Sequence, residues 1–203
     1  MIQIFHQGGP VMWPLLVTSI IALTVVFERL FFTLREAWRR NPLVVEYLSR
    51  EVEMGNPNNA CAGGRGTRDF VARVLTYALE HRETSFSNAL LESSSLELRR
   101  FNRGLSILDT IITLAPLLGL LGTVTGMIHA FGMLGDGELG APTAITGGIA
   151  EALIATAFGL LIAILALIPF NFLNTRLEQA RQEIETAAAK LELLLMRHEM
   201  PKS

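Results

Sequence analysis

Lys and Arg are absent from residues 1–28 and from residues 104–175; all 17 of them fall in two blocks, Arg29–Arg103 and Arg176–Lys202. This is the pattern of a membrane protein with a legible orientation, because basic residues beside membrane-spanning helices collect on the cytoplasmic side. Both blocks are expected inside, and both gaps in the membrane or outside it. Three crossings follow, with the N-terminus out and the C-terminus in. Cysteine is scarce as well: Cys61 alone forms neither an internal disulfide nor a zinc cluster, and in its inferred cytoplasmic loop it reads as a bystander. The four histidines, His6, His81, His129 and His198, make no metal or nucleophile constellation with it, and no Gly-rich phosphate loop with Lys follows a strand. Neither an enzyme nor a bound cofactor or metal is expected. Nucleic acid is not an expected partner, since the net charge is −2 and the basic residues are mixed with Glu.

Apolar residues are what the chain has in quantity. Half of it is hydrophobic and the mean hydropathy is positive, yet 18% is charged, so an aqueous part must accompany the bilayer part. The fold class predicted is an all-α membrane protein: three transmembrane helices, N-out and C-in, with long helices extending into a helical cytoplasmic region. Residues 1–10 are the outer, periplasmic N-terminus. Residues 11–32 are the first span, a run of about 20 mostly apolar residues with Pro14 near its start and Glu28 and Arg29 near its end. A signal peptide needs a basic start and a small-residue cleavage site; MIQIFHQGGP has no Lys or Arg, and no clear cleavage site follows, so the segment is expected to stay as a true span. Residues 33–104 form the cytoplasmic helical region, 105–134 the second span, 135–146 a short periplasmic loop with Gly, Asp and Pro, 147–173 the third span and 174–203 a cytoplasmic helical tail. At about 1.5 Å per residue the last two spans are roughly 45 and 40 Å long, against a hydrocarbon core of about 30 Å, so one end of each projects or tilts.

The cytoplasmic parts carry helical periodicity. Apolar residues recur at spacings of three and four over Leu43–Met54, Thr67–Arg82 and Phe86–Arg103, with GNPNNACAGGRG at Gly55–Gly66 expected to act as a breaker. After the third span, Leu177, Ile184 and Leu191 repeat every seven residues, and Ala180, Ala187 and Leu194 interleave. Two arrangements fit this tail equally: a coiled-coil stalk, or an amphipathic helix lying against the annex of its own chain.

Inside the hairpin, Gly119, Gly122 and Gly126 leave one face of the second span nearly bare, and Gly148, Ala152, Ala155, Gly159 and Ala163 line one side of the third. Small residues at such spacing let membrane helices approach closely, so these glycines are read as helix-packing positions. Polar residues interrupt the same stretches: Asp109, Thr110, Thr113, Thr123, Thr125, Glu151 and Thr156. An ionisable group there is costly unless it faces a bundle interior, a partner or water. Thr123 is 11 residues below Leu134 and Thr156 is 9 below Gly147. The two hydroxyls are therefore expected at one level, roughly 15 Å from the outer end, where they could share a pore. A lone Thr usually bonds its own helix backbone; two at matched depth beside bare faces are a stronger signal. Glu151 is one turn in from the outer end, where it could reach the interface. Asp109 near the inner end reads as a capping or interface residue. His129, which could titrate near pH 7, reads as interfacial packing.

The segments APLLGLLGTVTGMIHAF and GGIAEALIATAFGLL, in this order and joined by a short loop, resemble the signature of the MotA/TolQ/ExbB proton channel family, and GGPVMWPLL with a span ending in ERL resembles its ExbB branch. The resemblance covers all three spans and the topology; the region from about Phe32 to Arg103 supplies length and position but no motif. It implies a homo-oligomer of five copies ringed around the helices of an ExbD-like single-span partner. That partner's essential Asp takes and releases the proton, and the motion passes through a TonB-like protein to outer-membrane transporters. By motif, Thr123, Glu151 and Thr156 match family positions that line or flank the channel. The resemblance therefore implies an inner-membrane proton channel subunit that draws on the proton motive force. TolQ, which serves outer-membrane integrity through TolR and TolA, shares the channel motifs; the GGPVMWPLL opening and modest length favour ExbB. MotA-like stators have four spans and a larger cytoplasmic domain, and a gliding or secretion motor remains an alternative. From another class, a non-conducting membrane scaffold would use the small-residue faces for assembly alone. Whether H⁺ or Na⁺ is conducted rests on the resemblance, since Thr-lined sites can in principle hold Na⁺ and the family includes sodium-driven members.

Overall fold

The computed structural model describes residues 7–135 and 142–199, with side chains for residues 7–132 and 146–197. Its helices are α1 Met12–Arg39, α2 Pro42–Glu53, α3 Pro57–Gly64, α4 Phe70–Glu80, α5 Arg82–Asn102, α6 Leu105–Gly135 and α7 Pro142–Glu199, and no strand occurs among the described residues. The expected outer loop lies partly outside them, at 136–141; Pro142–Thr146, assigned to that loop from sequence, is already the first turn of α7, where proline's missing N–H has no intrahelical partner to lose. Helix α1 likewise continues past Phe32 to Arg39. Residues 1–6, and with them His6, lie outside the described residues, as do 200–203 and the His198 side chain.

The chain divides into two compact units. The first comprises residues up to Arg29 and Gly104–Phe172. Its burial is inverted relative to a soluble bundle: Ala115, Ala130, Ala152, Ala155 and Ala163 are buried, whereas Leu117, Ile128, Leu153, Leu165 and Ile168 stand outward, each 60% exposed or more. Small residues inside and large aliphatic ones outside suit a surround of lipid, which offers no hydrophobic drive and leaves close packing to hold helices together. The start of α1 closes this unit. Val11, Met12 and Leu15 pack with Ala115 and Ala163, flanked by Leu118, Phe158 and Ile162. Pro14 sits in the first turn of α1, where its missing N–H breaks nothing.

The second unit comprises Leu30–Arg103 and the chain from Leu173 onward. Leu48, Val52, Phe70, Val71, Val74, Leu75 and Leu79 form its core with Ala180, Ile184, Ala188 and Leu191 of α7. Of the two arrangements for the tail, the structure has the helix lying on its own chain. The buried positions step by four, four and three, the 3.6-residue stripe of a straight helix, and Ala187, an interleaved heptad position, is only partly buried.

The expected breaker at Gly55–Gly66 needs correction. Gly55 (φ 79°) and Gly66 (φ 76°) do turn the chain, but Pro57–Gly64 between them is helix α3. Pro57 stands at its start, and Ala60 and Cys61 are buried in the core. Gly63 and Gly64 are there for close approach: a Cβ on the first would run into the Tyr47 ring, and on the second into the Thr76 hydroxyl. The helix expected from Phe86 also starts earlier, at Arg82, although the extended backbone of Ser85 (φ −172°) interrupts it there.

Ion pairs fix the second unit. Asp69 is fully buried and caps α4 by accepting from the Ala72 N–H at 3.0 Å; it also accepts the Asn41 N–H at 2.6 Å and pairs with Arg40. Arg40 reaches Glu183 of α7 at 2.7 Å and lies over the Phe70 ring, 5.2 Å from its centroid. Burial alone would lower the Arg40 pKa, but the hydrogen bonds it donates to Asp69 and Glu183 outweigh it and hold the guanidinium more firmly charged. Arg73 pairs with Glu97 at 2.8 Å and with the buried Glu36 at 3.3 Å.

Candidate functional site

Helices α6 and α7 meet along a seam of small residues. A Cβ on Gly119 would lie 3.0 Å from the Thr156 Cα, and one on Gly126 would lie 3.0 Å from the Ala152 Cβ. On Gly148 it would lie 2.7 Å from the Ala130 Cβ; on Gly122 and Gly159 it would approach the Ala155 Cβ and the Ala115 carbonyl to 2.5 Å. Every glycine assigned to packing from sequence therefore sits where the facing helix leaves no room for a side chain, and Ala152 packs against Gly126. This contact brings Thr123 and Thr156, two of the hairpin's polar residues, together.

Thr123 and Thr156 meet at the seam. Their hydroxyls are hydrogen-bonded to each other, and Thr156 Oγ1 also donates to the Gly119 carbonyl at 2.9 Å, across the helix boundary. Each hydroxyl lies near both backbones: Thr123 Oγ1 is 3.4 Å from the Gly119 carbonyl and 3.5 Å from that of Ala152, and Thr156 Oγ1 is 3.3 Å from the latter. Four oxygens thus share two hydroxyl protons. When one Thr donates to the other and the second donates to Gly119, lone pairs remain on both hydroxyls for a third group. Neither hydroxyl titrates near neutral pH, so the pair can orient and solvate a charge but not carry one.

Other threonines of the apolar helices behave differently. Thr18 and Thr24 of α1 close on Leu15 and Ile20, Thr110 on Ser106, Thr113 on Asp109 and Thr125 on Leu121, all within their own helices. Asp109 is exposed on the surface of the first unit and is not brought to the hydroxyl pair. Glu151, half-buried and directly preceding Ala152 on α7, is brought instead to the Gly8–Gly9 turn that leads into α1. That neighbour was missed from sequence, although GGP ahead of an apolar run marks a turn with φ > 0. Asp69 was missed too; its signal was Thr67 and Asp69 directly before the apolar run of α4, a helix-start pattern. Among the described residues no three His, Cys, Asp or Glu gather at metal-binding geometry, and His81 stacks on Tyr77 while His129 is exposed.

Three helical stretches, Met12–Arg39, Arg82–Gly132 and Thr146–Arg197, are long and apolar enough to cross a membrane. With the inverted burial of the first unit, they define a multi-pass helical membrane protein. The chain belongs to the MotA/TolQ/ExbB proton channel family, whose sequence model matches residues 65–186. It is 39% identical over 197 residues to the biopolymer transport protein ExbB-like 1 of Synechocystis sp., covering 94% of this chain and 77% of that one. To the ExbB-like 3 protein of the same organism it is 34% identical over 202 residues, covering 96% and 95%. The Tol-Pal system protein TolQ of Haemophilus influenzae is 38% identical, but only over 87 residues, 43% of this chain and 38% of that one.

Proposed function

We propose that this chain is the ring-forming, ExbB-like subunit of an inner-membrane proton channel, lying N-out and C-in with the second unit in the cytoplasm. With an ExbD-like single-span partner it would use the proton motive force to energise TonB-dependent transport across the outer membrane. The observation that carries the reading is the Thr123–Thr156 pair, which holds two hydroxyls and two backbone carbonyls together in an apolar hairpin. Such a cluster suits a carboxylic acid or a water delivered by a partner helix, offering lone pairs to a protonated acid and, once a hydroxyl turns from the Gly119 carbonyl, a donor to a charged one. A potential of about 100 mV acting on one charge supplies roughly 2.3 kcal/mol, enough to bias a step between those two forms. Glu151, near the Gly147 end of α7, is read as flanking the same pathway, and a ring of five copies would enclose the partner helix.

Identity to ExbB-like proteins over 94% and 96% of this chain supports this assignment over a TolQ-like role, for which the Haemophilus influenzae relative matches 43% of it. The test is proton uptake into liposomes holding this chain with and without its single-span partner under an imposed potential. Voltage-driven uptake that requires both proteins is the expected result. An intact complex that passes no protons would favour a scaffold or a different coupling ion.

A further inference from the structure

We infer that Gly9 is a positioning residue for Glu151, whose carboxylate occupies the space that a side chain on residue 9 would need. The placement stands on geometry alone; its consequence for transport rests on the proposed ion-pathway role of Glu151.

Gly9 has φ +71°, in the left-handed region that L side chains rarely adopt. A Cβ built there would collide with Glu151 Oε1 and come within 2.7 Å of its Cδ and 3.1 Å of its Cγ. Gly8 is just as confined: its Cβ would lie 2.6 Å from the Met12 thioether and 3.2 Å from Ile154, on the same face of α7 as Glu151. The turn is fastened where it lies. The Met12 N–H donates to the Gly9 carbonyl at 3.2 Å, Met12 and Leu15 are 2% and 1% exposed, and Val11 packs beside Gly122. The lead-in to α1 is therefore held against α7, with the bare backbone of Gly9 at the carboxylate.

A carboxylate on an apolar helix is costly unless polar groups face it, and a residue without a side chain lets it come up to the backbone. The atoms that a methyl group on residue 9 would strike belong to the far end of a flexible side chain. Gly9→Ala should accordingly displace the carboxylate and leave the helices in place.

The test uses the full-length chain in liposomes and reads the labelling rate of Glu151 by a hydrophobic carbodiimide, mapped by peptide mass. Gly9→Ala and Gly9→Asn are compared with wild type and with Gly132→Ala, a position where an added Cβ meets nothing within 4 Å. Asn tolerates a positive φ, so it carries the collision without the backbone strain. The expected result is a severalfold change in labelling of similar size in both Gly9 variants, with Gly132→Ala at the wild-type rate. Unchanged labelling in both Gly9 variants overturns the inference, as does a change confined to Gly9→Ala. Partner-dependent proton flux is read on the same samples and on Glu151→Gln. A fall of about tenfold or more is expected in all three, because misplacing a reacting group by about 1 Å can cost on the order of a hundredfold. Altered labelling with wild-type flux in the Gly9 variants and in Glu151→Gln would leave the placement standing and overturn the role proposed for Glu151.

Discussion

The hydroxyl of Thr156 on α7 donates to the carbonyl of Gly119 on α6 at 2.9 Å. The bond crosses between helices because Gly119 is bare: any side chain there would meet the Thr156 backbone itself. The glycines and the threonines of the hairpin are thus one arrangement, in which close approach brings side-chain hydroxyls to the opposite backbone.

If that approach matters, the glycine that comes nearest to the opposite backbone should tolerate nothing larger. A Cβ at Gly159 would face the Ala115 carbonyl at 2.5 Å and the Gly119 Cα at 3.0 Å, backbone atoms that cannot rotate away. Gly159→Val is expected to destabilise the hairpin by about 1–3 kcal/mol through overpacking, lowering the thermal aggregation midpoint of the detergent-solubilised protein. Gly147→Ala, where an added Cβ meets nothing within 4 Å, should leave the midpoint unchanged.

On the far part of α7, Ala188 is 4% exposed and faces the core of the second unit, while Ala187 is only partly buried. Ala188→Asp is therefore expected to reduce amide-exchange protection across α2–α5 more than Ala187→Asp does. An acid without a partner at the buried position costs about 1–3 kcal/mol or more. A coiled-coil seam would reverse the order of the two variants.

Asp69 joins the start of α4 to the junction between α1 and α2 through the Arg40 guanidinium and the Asn41 and Ala72 amides. Removing the carboxylate in Asp69→Ala leaves Arg40 with Glu183 as its one remaining carboxylate and takes the acceptor from the Asn41 and Ala72 amides, which typically costs about 1–3 kcal/mol. Hydrogen exchange at Asn41 and Ala72 should accelerate accordingly. Asp69→Asn should fall between, since an amide oxygen still accepts the α4 cap but cannot balance the guanidinium.

Burial pushes the Cys61 thiol pKa up, with the nearby charges of Arg82 and Glu80 acting in opposite directions. A raised pKa in the folded state means the neutral thiol is favoured there, so its contribution to stability is fully present below the ordinary thiol pKa and is lost as pH rises through the folded value. Maleimide labelling at neutral pH should be slow in the folded chain and fast after denaturation, with stability declining at alkaline pH. A Cys61→Ala variant should show a smaller alkaline decline.

Much of this architecture was legible in the chain. The two gaps in Lys and Arg bracket the apolar stretches, and the matched depth of Thr123 and Thr156 anticipated their contact, because a uniform rise of 1.5 Å per residue makes depth countable in a helical hairpin. Less was legible where packing overrode local preference. Gly63 and Gly64 look like breakers but serve close approach to Tyr47 and Thr76 within α3. The heptad spacing of Leu177, Ile184 and Leu191 resembles a seam, yet over about four turns it differs little from the 3.6-residue stripe that the structure adopts. The approach of Gly9 to Glu151, 142 positions apart, depends on how the start of α1 closes over α7, which no local pattern encodes.

The central claim is that the hydroxyls of Thr123 and Thr156 serve ion transfer, and the most direct measurement is partner-dependent proton uptake in liposomes under an imposed potential. Thr123→Ala, Thr156→Ala and the corresponding Ser variants would be compared with wild type at equal reconstitution. Flux lost in both Ala variants and largely kept in both Ser variants is the expected result. Wild-type flux in Thr123→Ala and Thr156→Ala would contradict the account and leave the pair as a packing contact.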